Sequence, residues 1–191
     1  MTLPRSLRWT GGQLDLLDQR CLPHSVVYRQ LTKWHEVSDA IRSMAVRGAP
    51  AIGIAAAWGV VLAAQAGDDL DQAIEGLRAS RPTAVNLSWA LNRMQSSVNS
   101  NGWVDVHELE RLAAVIEAED RALTQALVNY GIGVLPDDCR VLHHCHTGAV
   151  ATAGVGTALG VIVAGHHHGI LKHAWLCLLY TSPSPRDKRQ S

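Results

Sequence analysis

Three residues in this chain have the type and the neighbours that chemistry requires. Cys145 stands in the run Arg140-Val-Leu-His-His-Cys-His-Thr-Gly-Ala-Val-Ala-Thr-Ala-Gly-Val-Gly-Thr-Ala-Leu-Gly160. An apolar, β-favouring start (Val141, Leu142) leads into a polar corner with the thiol at its tip, then through Thr147 and Gly148 into an Ala-rich stretch. A strand that ends in a nucleophile-type residue and turns through Gly into a helix N-terminus can hold a phosphorylated substrate, because the free amides and the helix dipole both attract an anion. The spacing therefore predicts a helix that opens at Gly148. Arg47 lies in Val46-Arg-Gly-Ala-Pro50, where Pro50 fits the first turn of a helix and Gly48 permits an unusual backbone at the corner. A guanidinium held just before a helix start pairs with free amides as a phosphate site; a simple helix-entry turn with a solvated Arg explains the same spacing. Arg81 occupies a second corner, Ser80-Arg-Pro-Thr83, where Pro82 restricts the residue before it and ends the preceding helix.

A rival chemistry is metal binding by His143, His144 and His146, with His166, His167 and His168 further on. On a strand His144 and His146 share one face and His143 takes the side of Cys145. The second group, flanked by Gly165 and Gly169, suits an exposed loop. The four cysteines, Cys21, Cys139, Cys145 and Cys177, form no C-x-x-C pair and read as reduced thiols in a cytosolic protein.

Composition narrows the rest. The 191 residues allow one ordinary domain or two small ones, and 47% apolar content is ample for a core. With 17 basic and 17 acidic residues the chain has no global field to recruit nucleic acid or an anionic membrane, so a bound anion must be caught locally. The longest apolar run, Ala49 to Ala66, is long enough to span a membrane but is Ala- and Gly-rich and carries Trp58 and Gln65; it reads as a buried helix.

The elements that must position these residues follow from periodicity. Leu7–Trp9, Gln13–Leu17 and Ser25–Gln30 predict a small antiparallel β entry with a hairpin signal at Gly11-Gly12. Helices are expected over Trp34–Met44, Ala51–Ala66, Asp68–Ser80 and Leu87–Val98, the last capped by Asn86 or Ser88. Asp105–Gly131 reads as one long helix, with Leu109, Leu112, Ile116, Leu123 and Leu127 on its buried face and Glu108, Glu110, Glu117, Glu119 and Asp120 as a solvated face. Leu135-Pro-Asp-Asp138 is a boundary, and a strand–helix unit from Cys139 leads to a second strand near Lys172–Leu176. The expected fold class is α/β: residues 1–134 form a small β plus helical N-terminal domain, and residues 135–178 the start of a Rossmann-like doubly wound domain. Residues 179–191, Pro/Ser-rich and basic, carry none of this periodicity and read as an unfolded, non-native tail resembling translated adapter sequence.

Three motifs in one order, Val46-Arg-Gly-Ala-Pro-Ala-Ile-Gly53, Arg81-Pro-Thr-Ala-Val-Asn-Leu87 with Trp89-Ala90, and His144-Cys145 followed by Thr-Gly-Ala-Val-Ala-Thr-Ala-Gly154, resemble the S-methyl-5-thioribose-1-phosphate isomerases of methionine salvage. These are relatives of the regulatory subunits of translation initiation factor 2B. The resemblance covers roughly residues 5 to 175. It implies an aldose–ketose isomerase, cytoplasmic and homodimeric, that needs no metal or other cofactor and binds neither nucleic acid nor membrane. It implies substrate binding by Arg47, Gly48, Ala49 and Arg81, and acid/base catalysis by Cys145 with an aspartate. A ribose-1,5-bisphosphate isomerase and a non-catalytic subunit like the initiation-factor relatives are the alternatives. The family usually has Thr-His-Cys-Asn-Thr-Gly, so His146 replaces an Asn whose hydrogen bond would shape the cysteine loop. The family's Asp-Glu-Thr-Arg-Pro stretch, expected after Trp175, its catalytic Asp and its Asn-Lys contact do not occur in the sequence. On this reading the chain is a C-terminally truncated, inactive fragment with an exposed sheet edge that favours aggregation.

Overall fold

A computed structural model describes residues 4–98 and 105–176. The chain enters as an antiparallel sheet, β1 (Leu7–Trp9), β2 (Leu14–Leu17) and β3 (Tyr28–Leu31), in the order β1-β2-β3. Gly11 and Gly12 both take positive φ, at 73° and 127°, which a tight hairpin between twisted strands requires. Leu14 and Leu16, on the same side of β2, are fully buried with Leu7 and Leu31 in the core cluster, so one face of this sheet lies on the core. β3 begins later than the β-branched Val26 and Val27 suggest; both are exposed.

The helices are α1 (Trp34–Arg42), α2 (Ala49–Ala66), α3 (Leu70–Arg78), α4 (Val85–Val98) and α5 (Val106–Ile132). A helix apolar all round must be buried all round, and α2 is: α1, α3, α4 and α5 all pack on it. It is the one helix among the described residues long and apolar enough to cross a membrane, and 72% of it lies inside the fold, as a core helix does. Small residues let its neighbours in. A Cβ on Gly53 would stand 2.7 Å from the Asn86 carbonyl oxygen, so α4 crosses α2 almost backbone to backbone.

Two expectations for the helices need correction. First, α4 starts at Val85, so Asn86 and Ser88 sit inside its first turn rather than capping it; the Ala84 carbonyl accepts from Ser88 N instead. Second, the faces of α5 divide differently. Leu109, Ala113 and Ile116 are buried, but Leu123 and Leu127 are exposed, and Thr124 and Val128 take the inner positions. The supposedly solvated acids are mostly engaged. Glu117, 8% exposed, accepts from Trp58 Nε1 at 3.0 Å and pairs with Arg121. Glu110 accepts from Trp9 Nε1 at 2.7 Å, and Glu119 pairs with Arg93. Trp9 and Trp58 stack at 4.5 Å between centroids, pinning the β entry to the α2–α5 seam. Apolar periodicity cannot distinguish a solvated carboxylate from one held by an indole N–H, because both leave the same gap in the stripe.

After Asp138, with φ 57°, the chain forms β4 (Cys139–His143), α6 (Ala158–His167) and β5 (Leu171–Leu176). β4 and β5 pair in parallel, with α6 as the crossover. This is the start of a Rossmann-like sheet, so the α/β class expected from the sequence is the one observed. His166 and His167 form the last turn of α6 and His168 caps it, instead of lying in a loop; imidazoles there face the helix's negative end. The expected tail, 179–191, and Cys177 lie outside the described residues.

Candidate functional site

The site grows from the turn before α2. Gly48 is the N-cap, with φ 99°, a conformation L side chains rarely adopt. It is also crowded: a Cβ there would lie 2.5 Å from both Cα and the carbonyl oxygen of Ala151. The turn therefore packs at Gly48 directly on Ala151, in the loop downstream of Cys145. Arg47 itself is exposed.

That loop is not the helix start predicted at Gly148. Residues Ala149–Ala151 form a single 3-10 turn, and the α-helix begins only at Ala158. Gly148, Gly154 and Gly156 all weaken a helix through backbone entropy, about 1 kcal/mol each against Ala. The segment instead folds back against Gly48. Thr147 closes its ends: its carbonyl accepts from Thr157 N at 2.8 Å and its Oγ1 accepts from Leu159 N at 3.0 Å. The Thr147 hydroxyl thus caps α6 from twelve residues upstream. His143, buried at the end of β4, lies 2.6 Å from the same Oγ1 through Nε2.

Cys145 is exposed at the tip of this corner, and Cys21 and Cys139 are half-buried. His144 is exposed beside it. His143 alone of the first histidine group lies in β4, and it turns to Thr147 while His146 turns to Gln19. Among the described residues no three His, Cys, Asp or Glu side chains gather as a metal would need.

His146 makes a bond that ties the loop to the β entry, between Nε2 and Gln19 Oε1 at 3.2 Å. Gln19 begins a short 3-10 turn, Gln19–Cys21, capped by Asp18. The Asp18 carboxylate accepts from Arg20 N and grips the Arg20 guanidinium through both oxygens, which holds its pKa below the ordinary value. The Gln19 amide donates to Arg47 O at 3.2 Å and to Val150 O at 2.8 Å. Ser6 adds a further tie, donating from Oγ to Thr152 O at 2.7 Å. Burial first, and the Arg47 charge second, hold the His146 pKa below its ordinary value.

Asp120 of α5 anchors the far side of the loop, accepting from Ala153 N at 2.7 Å through Oδ2. Burial pushes this carboxyl above its ordinary pKa, against the lowering effects of the Ala153 amide and Arg121. A carboxyl whose folded pKa is raised binds its proton more readily in the native state. Its contribution to stability is greatest below the unfolded value and is lost as pH rises through the folded pKa. Asp120→Asn keeps an acceptor for Ala153 N and removes that pH dependence. Asp120→Ala orphans the amide and is expected to lose about 1–3 kcal/mol. Urea melts of both variants at acid and neutral pH check this, and equal midpoints for the two at neutral pH would dispose of the anchor.

Arg81 stands exposed at the α3–α4 corner, where its carbonyl accepts from Ala84 N at 3.0 Å. Among the described residues no hydrogen bond or ion pair ties its guanidinium to the cysteine loop. A groove of about 350 Å³ opens between the starts of α2 and α4 and the middle of α5, lined by Pro50, Gly53, Asn86, Trp89 and Asp120 among others. Arg47, Arg81 and Cys145 are not in its lining. The structure thus brings Gly48 and the Arg47 carbonyl up to the loop after Cys145, the one by contact and the other through Gln19, and leaves Arg81 at a separate corner. Gln19 and Ser6 escaped the sequence reading, Thr147 was read only as part of the corner, and Asp120, read as a solvated acid, is instead engaged with the loop. Each makes its bond across a long stretch of chain or inside a loop, where no periodicity marks it.

Comparison with known proteins follows the same lines. The profile of the initiation factor 2 subunit family matches residues 45–178. A methylthioribose-1-phosphate isomerase of Synechococcus sp. (strain CC9902) is 89% identical over 176 residues, covering 92% of this chain and 52% of the relative. The crystal structure of 5-methylthioribose 1-phosphate isomerase from Pyrococcus horikoshii OT3 superposes with a TM-score of 0.82 at 36% identity, over 91% of this chain and 52% of that one. The translation initiation factor eIF-2B delta subunit from A. fulgidus superposes with a TM-score of 0.70 at 34% identity, over 89% and 54%. The chain spans about half the length of the curated relatives it matches.

Proposed function

The chain belongs to the initiation factor 2 subunit family, and from that premise we propose that it carries the N-terminal part of an isomerase converting 5-methylthioribose 1-phosphate to 5-methylthioribulose 1-phosphate. The observation that carries this reading is the backbone contact of Gly48 with Ala151, which sets the Arg47 turn against the loop bearing an exposed Cys145. The 89% identity to a relative of that name supports the choice of substrate.

The substrate sets a specific problem. Its anomeric oxygen carries phosphate, so the ring cannot open by loss of a hydroxyl proton. An acid must protonate the ring oxygen as its bond to C1 breaks. The hydrogen on C2 then ends on C1, and the C2 hydroxyl, losing its proton, becomes the ketone. In this reading Arg47, with the Gly48 and Ala49 backbone, and Arg81 hold the phosphorylated sugar, and Cys145 exchanges protons with it. Asp120 reaches the loop but its Oδ2 is committed to the Ala153 amide, so the second acid/base group is assigned to none of the described residues. The same reading takes residues 1–134 and 135–178 as two domains and the whole enzyme as a cytoplasmic homodimer that uses no cofactor.

The test is to assay the full reading frame containing this segment on 5-methylthioribose 1-phosphate and on ribose 1,5-bisphosphate. Turnover of the first is expected. Turnover of the bisphosphate alone, or of neither, rejects the assignment; the second outcome points to a subunit like the eIF-2B neighbour.

A further inference from the structure

Gln19 is 8% exposed, and its carboxamide meets three groups in two parts of the chain, the Arg47 turn and the Cys145 loop. An amide nitrogen carries two hydrogens and an amide oxygen only lone pairs. Here the nitrogen has two acceptors, Arg47 O at 3.2 Å and Val150 O at 2.8 Å. The carboxamide can therefore face only one way, with Oε1 toward His146 Nε2 at 3.2 Å. An acceptor-only oxygen requires that this Nε2 carry the hydrogen. The ring is half-buried, and Arg47 is the charged group that bears on it, so the second proton that would make an imidazolium is disfavoured. What remains is a neutral imidazole with its lone pair at Nδ1, on the residue next to Cys145.

We propose that Gln19 is a positioning residue: it clamps the Arg47 turn to the Cys145 loop and holds His146 as its Nε2–H tautomer, leaving Nδ1 as a proton acceptor in that loop. Its role in catalysis rests on the isomerase reading above; the tautomer does not. The clamp is itself held in place. Gln19 N donates to Ala45 O at 2.8 Å, and the Asp18–Arg20 pair secures the turn that presents the side chain. Two donor bonds would be enough to fasten the loop, but the third contact also sets a protonation state.

The tautomer can be read in the unmodified protein by nitrogen-detected NMR of the imidazoles, with His146→Asn used to assign the signal. A protonated Nε2 and a bare Nδ1 at neutral pH are expected, and the opposite tautomer overturns the proposal. Gln19→Glu replaces the amide by a carboxylate that draws a proton onto the ring, so the His146 titration moves to higher pH. Gln19→Leu removes the constraint, and the ring reverts to a tautomer mixture. An unchanged His146 spectrum in a folded Gln19→Glu or Gln19→Leu protein also overturns it. In the active full-length enzyme Gln19→Leu is expected to lower kcat roughly 10- to 100-fold, with a smaller change in KM, as loss of alignment does. If isomerase turnover is absent while the tautomer is as stated, the isomerase reading fails and the clamp stands.

Discussion

Gly48→Ala is expected to destabilise the fold by roughly 2–5 kcal/mol, from backbone strain and overpacking together. Two independent effects act at one atom. The φ of 99° is unfavourable for any L side chain, and the new Cβ would lie 2.5 Å from Ala151 Cα and from its carbonyl oxygen. Both opposing atoms are backbone, so no side-chain rotation relieves the overlap. The alternative is for the two segments to part, which separates the Arg47 turn from the Cys145 loop and removes activity along with stability. Gly169→Ala provides the control: its φ is also positive, at 73°, but nothing lies within 4 Å of the added Cβ. That variant should lose only the strain, on the order of 1 kcal/mol. Urea unfolding of the pair separates strain from contact. A Gly48→Ala midpoint no lower than that of Gly169→Ala would mean the two segments do not meet as described.

The second large effect is chemical. Cys145→Ala in the full-length enzyme should lower kcat by about 10²- to 10⁴-fold, the usual worth of a positioned proton-transfer group. Cys145 is exposed, so the unfolding free energy should stay within about 0.5 kcal/mol of the parent's. The phosphate contacts proposed for Arg47 and Arg81 do not involve the thiol, so affinity for the sugar phosphate should be kept. Calorimetric titration alongside steady-state kinetics distinguishes the cases. A kcat within threefold of the parent removes Cys145 from the mechanism, whereas a parallel loss of affinity would make it a binding residue instead.

How much of this was legible depended on range. The antiparallel entry, the buried α2, the long α5 and the parallel β4–β5 unit all follow from local periodicity, turn residues and run length. Each of those signals acts within a few residues, where chain entropy and side-chain alternation decide the outcome. The order of the three motifs, and with it the resemblance to an isomerase family, is likewise a property of the linear chain. Local rules failed where an element's end or face is chosen by a distant partner. The helix expected at Gly148 gave way to a 3-10 turn laid against Gly48, and the helix opened instead at Ala158, where Thr147 could reach its amides. On α5, the inner face past Ile116 passed to Thr124 and Val128, because Gly154 and Gly160 pack there from the loop and from α6.

The sequence by itself determined the kinds of residue available: a thiol in a Gly-rich corner, two Arg at helix entries, a family order. Only the tertiary structure decided which of them meet. The Arg47 turn and the loop that follows Cys145 are brought together by a glycine with no side chain to keep two backbones apart and by the Gln19 carboxamide, bonded to partners 28, 127 and 131 residues away. No local pattern encodes such a meeting, because a buried amide's directional bonds are satisfied only after folding has delivered their partners.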